Sequence, residues 1–295
     1  MNQTFVFNKE RSIKACMADA WKIIALNWKT YLKALWPYLL IAGLTCAFYV
    51  EINLQYVREQ ALPALLLQES GGDAEVVKFL ATPTLSNLVF SIISFVLLIF
   101  GYLCALSRQF KLIRHTKQND ALPKWLPLAL DRDDFHSIVR ILTSALTMVA
   151  GFVLISAPFI FIAFKWSMWA LIAVPLIALY FASFGMLCTM RHALYEAPLA
   201  PSIRYSLKHA FGQVFILMLL TAIPVGICLL ITSLPQATYI CSVIAFTKSQ
   251  LMADAASLPW GLSVVCFIVN ALCAAVSLLV SSYLVWVVSL KTNKV

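Results

Sequence analysis

Charge is what this chain has least of. Lys, Arg, Asp and Glu make up 12% of its 295 residues and hydrophobic residues 62%, where soluble domains carry about 25% charged and roughly 45–50% apolar residues. So few charges cannot cover a core of this length, which excludes a water-soluble globule. The eight cysteines contain no CxxC pair and mostly fall in apolar runs, where a thiol acts as a small hydrophobe. Neither a disulfide framework nor a zinc site is expected, and Cys241 is expected in an external loop. The first thirty residues are charged throughout and lack a clean apolar core ending in small residues, so no cleavable signal peptide is expected. No GxxxG occurs; Gly43, Gly101, Gly151, Gly185 and Gly226 are the positions at which helices are expected to approach closely.

What the chain does have is long apolar runs. A hydrocarbon layer about 30 Å thick needs about 20 predominantly apolar residues per helix. Six stretches qualify, at about 32–52, 85–107, 138–164, 167–190, 211–234 and 260–289. The expected fold is therefore all-α and polytopic, with six transmembrane helices over 32–295 preceded by an interfacial amphipathic helix in 1–31. Lys165 and Trp166 are expected to form a tight reversal between the third and fourth spans. Residues 53–84 read as two short helices separated by Gly71-Gly72, and 235–259 as a segment lying along the outer interface.

Orientation follows from the basic residues. Eighteen of the 22 lysines and arginines fall on one side of the alternating spans, and only Arg58, Lys78, Lys165 and Lys248 on the other. The positive-inside rule then puts both termini in the cytoplasm of a bacterial inner membrane. The net charge of +9 belongs mainly to that face and suits anionic lipid headgroups. Its residues are spread over separate loops without a recognisable module, so no nucleic-acid partner is expected.

In the opening stretch Ile13, Met17, Ala20, Trp21, Ile24, Trp28, Tyr31 and Leu35 share one helical stripe, with Arg11, Lys14, Lys22, Lys29 and Lys33 on another face. Two tryptophans beside lysines on such a helix place it among headgroups. The device returns: Ser12-Ile13-Lys14 followed by Ala20-Trp21 matches Ser202-Ile203-Arg204 followed by Ala210-Phe211, and Ser137-Ile138 with Arg140 is a weaker third copy. Three helical hairpins, each entered from the cytoplasm, would be parallel repeats about an axis along the membrane normal.

These S-I-[KR]-x5-A-[WF] approaches, the prolines beyond them and the six-helix total resemble the membrane domain attached to some glycerophosphoryl diester phosphodiesterases, and similar stand-alone bacterial six-helix proteins. The resemblance implies architecture and membrane location. The phosphodiesterase domain and its metal ligands have no counterpart here, so catalysis does not carry over.

Chemistry-bearing residues are few. The four histidines, His115, His136, His192 and His209, invite comparison with carotene-cleaving oxygenases, whose iron is held by four histidines. That family is a strand-built propeller, and no Glu cluster is at hand to support such ligands; interfacial histidines are the expectation. Asp131, Asp133, Asp134 and His136 suggest either a hard-cation site or the cap of the third span, and capping is preferred. Arg108, Lys111 and Arg114 recur every three residues; headgroup anchoring is the default, with a lipid phosphate or that acidic cluster as the other partners. Lipid-headgroup contacts are thus expected at Lys14, Lys22, Arg108, Lys111, Arg114, Arg204 and Lys208. Deep in the spans the expected polar and kinking residues are Asn270, Pro158, Pro175 and Pro224.

No catalytic residue, cofactor or metal is expected. The reading is a membrane scaffold or accessory factor contacting anionic lipids, a protein partner or a second copy of itself. A facilitator for a neutral or amphipathic solute is the alternative, and an oxygenase-type enzyme the third.

Overall fold

A computed structural model describes residues 12–119, 129–165, 173–251 and 260–291. Among them the chain is helical, without a strand: α1 (Ile13–Leu26), α2 (Trp28–Tyr56), a π-helical turn (Val57–Ala61), α3 (Leu62–Glu69), α4 (Ala74–Ala81), α5 (Leu85–Asn119), α6 (Arg132–Lys165), α7 (Ala173–Thr189), a second π-helical turn (Met190–Leu194), α8 (Leu199–His209), α9 (Gln213–Leu251) and α10 (Trp260–Lys291). Five helical stretches are long and apolar enough to cross a membrane: Trp28–Glu69, Ala74–Gln118, Arg132–Ala163, Ala173–Leu194 and Ser263–Lys291. In the most apolar stretch of α6 only 6% is buried. So much unpartnered hydrocarbon is tolerable only where the surrounding solvent is itself apolar.

The chain divides into two compact units. The first is built from Met1–Pro37, Leu103–Pro224 and Leu279–Val295. Its centre includes Trp286, which is fully buried and meets Tyr31 edge-on with ring centroids 6.4 Å apart. Beside α8, a second cluster joins Phe181, Phe184, Cys188 and Ala210. The second unit, Tyr38–Tyr102 with Val225–Leu278, gathers Leu54, Leu62, Tyr239, Val243 and Cys266. Here α2 crosses α10 at Gly43, where an added Cβ would stand 3.0 Å from the backbone oxygen of Ala271. Gly101, Gly151 and Gly185 are likewise close to neighbouring atoms, as the sequence suggested; the Gly226 side of α9 lies outside the described side chains.

Several boundaries differ from expectation. The opening stretch is two helices, because Asn27 leaves helical geometry (φ −120°, ψ 22°) and its side-chain amide donates to Ile23 O at 2.9 Å. The first long helix therefore starts at Trp28. Residues 235–251 do not lie apart as an interfacial segment but continue α9, with Tyr239 buried. Hydroxyls in this stretch are satisfied along the helix: Thr238 donates to Leu234 O and Ser242 to Thr238 O, both at 2.9 Å. Cys241 is accordingly an exposed helical residue. Pro158 lies inside α6, whereas Pro175 falls in the first described turn of α7, where the ring breaks no described helical bond. The Lys165–Trp166 reversal and the side chain of Pro224 lie outside the described residues, and the fifth expected span falls in the part of α9 where many side chains do too.

The break at Gly71-Gly72 and the short helix after it came out as read, while the helix before it is continuous with α2 through the π-helical turn. Gly71 takes a left-handed φ of 77° between α3 and α4, a conformation that costs glycine little.

Candidate functional site

The first unit sorts the basic residues into paired and unpaired sets. The paired set runs along α5 as Arg108, Lys111, Arg114 and Lys117. Three residues advance a helix by about 300°, so each successive cation is turned back by about 60° and meets a different neighbour. Arg108 lies 3.3 Å from the carboxylate of Asp134, and each side chain is 1% exposed. Lys111 pairs with Asp131 and stands 3.6 Å from Asp134. Arg114 binds Glu196 at 2.7 Å and donates to Ser137 Oγ. Lys117 donates to the Tyr195 hydroxyl at 2.9 Å and to Ser289 O at 3.0 Å. A single cationic ridge thus fastens the start of α6, the 195–196 corner and the end of α10.

Buried on Asp134, Arg108 is not a headgroup contact at the surface. Pairing with the acidic cluster, one of the two alternatives to headgroup anchoring, is what the fold adopts for Arg108 and Lys111. That cluster is also a helix cap. Asp131 accepts from the Asp134 N–H at 2.9 Å, and Asp134 accepts in return from the Asp131 N–H at 3.1 Å, a reciprocal box at the α6 N-terminus. Ser107 donates to Asp134 O at 3.0 Å.

Lys111 first, and then the Asp134 N–H, hold the Asp131 carboxyl well below its ordinary range. A carboxyl depressed in the folded state adds stability above its unfolded pKa of about 3.9 and loses it as pH falls further. Asp131→Asn keeps a good cap but removes the charge. Its thermal stability, measured against that of the parent chain, is expected to fall less steeply below pH 4; parallel profiles would refute the charge role.

Glu196 was missed in the sequence. It is the only acid between Arg191 and Ala210, adopts a left-handed φ of 57°, and takes Arg140 at 3.5 Å as well as Arg114. A lone carboxylate in a cationic connection was the available signal. Just before it, the second π-helical turn places Arg191 over the Tyr205 ring at 4.1 Å, and His209 stacks on the same tyrosine at 4.1 Å. His192 Nδ1 meets Ala197 O at 2.7 Å and His209 Nδ1 meets Tyr205 O at 2.9 Å, while His115 and His136 are exposed on α5 and α6. Among the described residues no three His, Cys, Asp or Glu side chains converge as a metal site.

An unpaired set lies on α1 and α8. Lys14, Lys22, Arg204 and Lys208 are exposed, and none has an ion pair among the described residues. The opposite faces are buried at matched positions, Cys16 and Ala20 on α1, Ser206 and Ala210 on α8, all at 0% exposure. The next matched position is an exposed aromatic in both, Trp21 at 66% and Phe211 at 73%. The matched serines differ: Ser12 caps α1 by accepting from Ala15 N–H at 3.3 Å, whereas Ser202 is buried within α8 and donates to Pro198 O. In the third copy Ser137 and Ile138 are buried in a continuous α6, with no separate approach helix. Asn270 is buried in α10 of the second unit.

Comparison with known families, curated proteins and solved structures found no match for this chain.

Proposed function

We propose that this chain is a multi-pass inner-membrane protein that works by contact rather than by catalysis, as a scaffold or accessory factor holding anionic lipid at its cytoplasmic face. The observation that carries the reading is the shared design of α1 and α8. Each buries a small-residue face in the protein and presents two exposed cations, with an exposed aromatic at the matched position, Trp21 within α1 and Phe211 in the turn just after α8, the surface expected of a helix lying at headgroup level. Six spans, cytoplasmic termini and parallel repeats of approach helix plus hairpin belong to this proposal, supported by the distribution of Lys and Arg and by the matched burial at an offset of 190 residues. So does kinship with the stand-alone relatives of the phosphodiesterase membrane domain.

Lys14→Gln, Lys22→Gln, Arg204→Gln and Lys208→Gln combined test it. A cation near an anionic surface is worth ~1 kcal/mol, or about five-fold in local lipid concentration. The parent chain, purified from mixed phosphatidylcholine and phosphatidylglycerol nanodiscs, is expected to retain phosphatidylglycerol several-fold above its share, and the variant is expected to lose that enrichment. Equal retention by both chains would sink the reading. The α5 cations are already paired, so Lys111→Gln should leave retention unchanged.

A further inference from the structure

In the second unit, the end of α2 and the start of α5 enclose a groove of about 220 Å³, roughly seven water volumes at ~30 Å³ each. Asn53, Tyr56, Asn87 and Ser91 line it together with Leu88 and Ile92, and no charged residue does. The Tyr56 hydroxyl donates to Ala81 O at 2.6 Å and fixes one rim by joining α2 to the end of α4. The amide nitrogen of Asn53 is used twice, donating to Tyr49 O at 2.6 Å and to Ser91 Oγ at 3.3 Å. Its carbonyl oxygen has no protein partner among the described residues, nor has the Asn87 carboxamide. Ser91, having accepted from Asn53, keeps its own proton to donate.

These groups have a particular chemistry and level. Uncharged donors and acceptors do not select a phosphate, but they match ester carbonyls and glycerol oxygens. The first apolar run ends near residue 52 and the second begins near 85, so both walls stand where hydrocarbon gives way to the interfacial region. Below the polar groups, Leu88, Ile92, Val96 and Ile99 continue along one face of α5, all exposed, and form an apolar track of helical period. Few polar groups at the head of an apolar track fix a ligand's orientation.

We propose that this groove holds one membrane glycerolipid by its ester and glycerol region, with an acyl chain lying along Leu88, Ile92 and Val96. Recognition is of the uncharged backbone, so it is indifferent to headgroup charge. The inference rests on the membrane reading but not on the cationic contacts of α1 and α8.

The test uses the full chain in phosphatidylcholine nanodiscs containing phosphatidylcholine with a diazirine midway along one acyl chain. After irradiation, adducts are mapped by mass spectrometry. Peptides covering 88–99 are expected to carry at least about five-fold more label than the equally exposed face of α6 at Leu146, Val149 and Val153. Asn87→Leu with Ser91→Leu should bring the two faces level, and so should Ser91→Trp, which fills the groove while keeping both amides. Circular dichroism on each variant reports whether the helices persist. Replacing the phosphatidylcholine by phosphatidylglycerol should change nothing, and the four-glutamine variant of α1 and α8 should label α5 as the parent does. Equal labelling of the two faces in the parent, an excess that survives both groove variants, or an excess seen with phosphatidylglycerol alone would each overturn the assignment. If the α5 excess persists while anionic lipid retention proves absent, the groove stands and the function proposed above falls.

Discussion

Asp134→Ala is expected to cost about 3–5 kcal/mol of stability. Asp134 and Arg108 are each 1% exposed, so removing the carboxylate takes this counter-charge from a buried guanidinium, which still donates to Ala129 O. The same change takes away the acceptor for the Asp131 N–H, half of the box that starts α6. The penalty comes from a buried cation that has lost this carboxylate rather than from a strong bond, because two ions taken out of water recover little more than their hydration. The double variant Arg108→Met with Asp134→Leu should therefore regain most of the loss. Heating in detergent with a thiol-reactive dye reads this directly, since Cys16, Cys104 and Cys188 are buried. A loss under about 1 kcal/mol, or a double variant as unstable as the single one, would refute the account.

Gly43→Leu is expected to lower stability by about 3 kcal/mol or more, at the upper end for overpacking. The Cβ it adds would meet the Ala271 oxygen at 3.0 Å, with the Ala271 carbonyl carbon and Cα 3.7 and 3.8 Å away. These are backbone atoms and cannot rotate aside, so three further carbons oblige α2 and α10 to separate. Gly43→Ala should cost less, because only a few tenths of an ångström must be found. Separation would admit reagent to Cys266, now 1% exposed beside α2 in the second unit. Unaltered labelling of Cys266 in Gly43→Leu would show that the crossing tolerates the bulk.

The helical class and the apolar stretches were readable because hydrocarbon demands long, uninterrupted runs, and the Gly71-Gly72 break because glycine supplies the left-handed turn. Helix starts and stops were harder. Asn27 ends α1 through its own side chain in the middle of an apolar stripe, and residues 235–251, read as part of an interfacial segment, continue α9. At the candidate site the spacing of Arg108, Lys111 and Arg114 was plain, as was the capping role of the aspartates. What each cation touches was not, because a three-residue spacing turns successive side chains toward different neighbours. Glu196 is bound by arginines from two helices, and local pattern cannot disclose a partner 82 residues away. The Asn53–Asn87–Ser91 groove escaped notice for the same reason: its polar groups are individually ordinary and meet only when α5 is laid beside α2.

The first unit joins the earliest described helix to the last. Tyr283 donates to Met17 O across 266 residues at 3.3 Å, and Tyr31 packs on Trp286. At ~5–20 residues per second, a ribosome needs roughly 13–50 s to deliver the second partner after the first. Through that interval α1 lacks the α10 residues Val287 and Val288 that stand beside Cys16, and its small-residue face must wait at the bilayer edge or be shielded by an insertion factor. Assembly of this unit therefore closes only once α10 has been made, and slowing translation between α1 and α10 should prolong the window in which Cys16 can be alkylated.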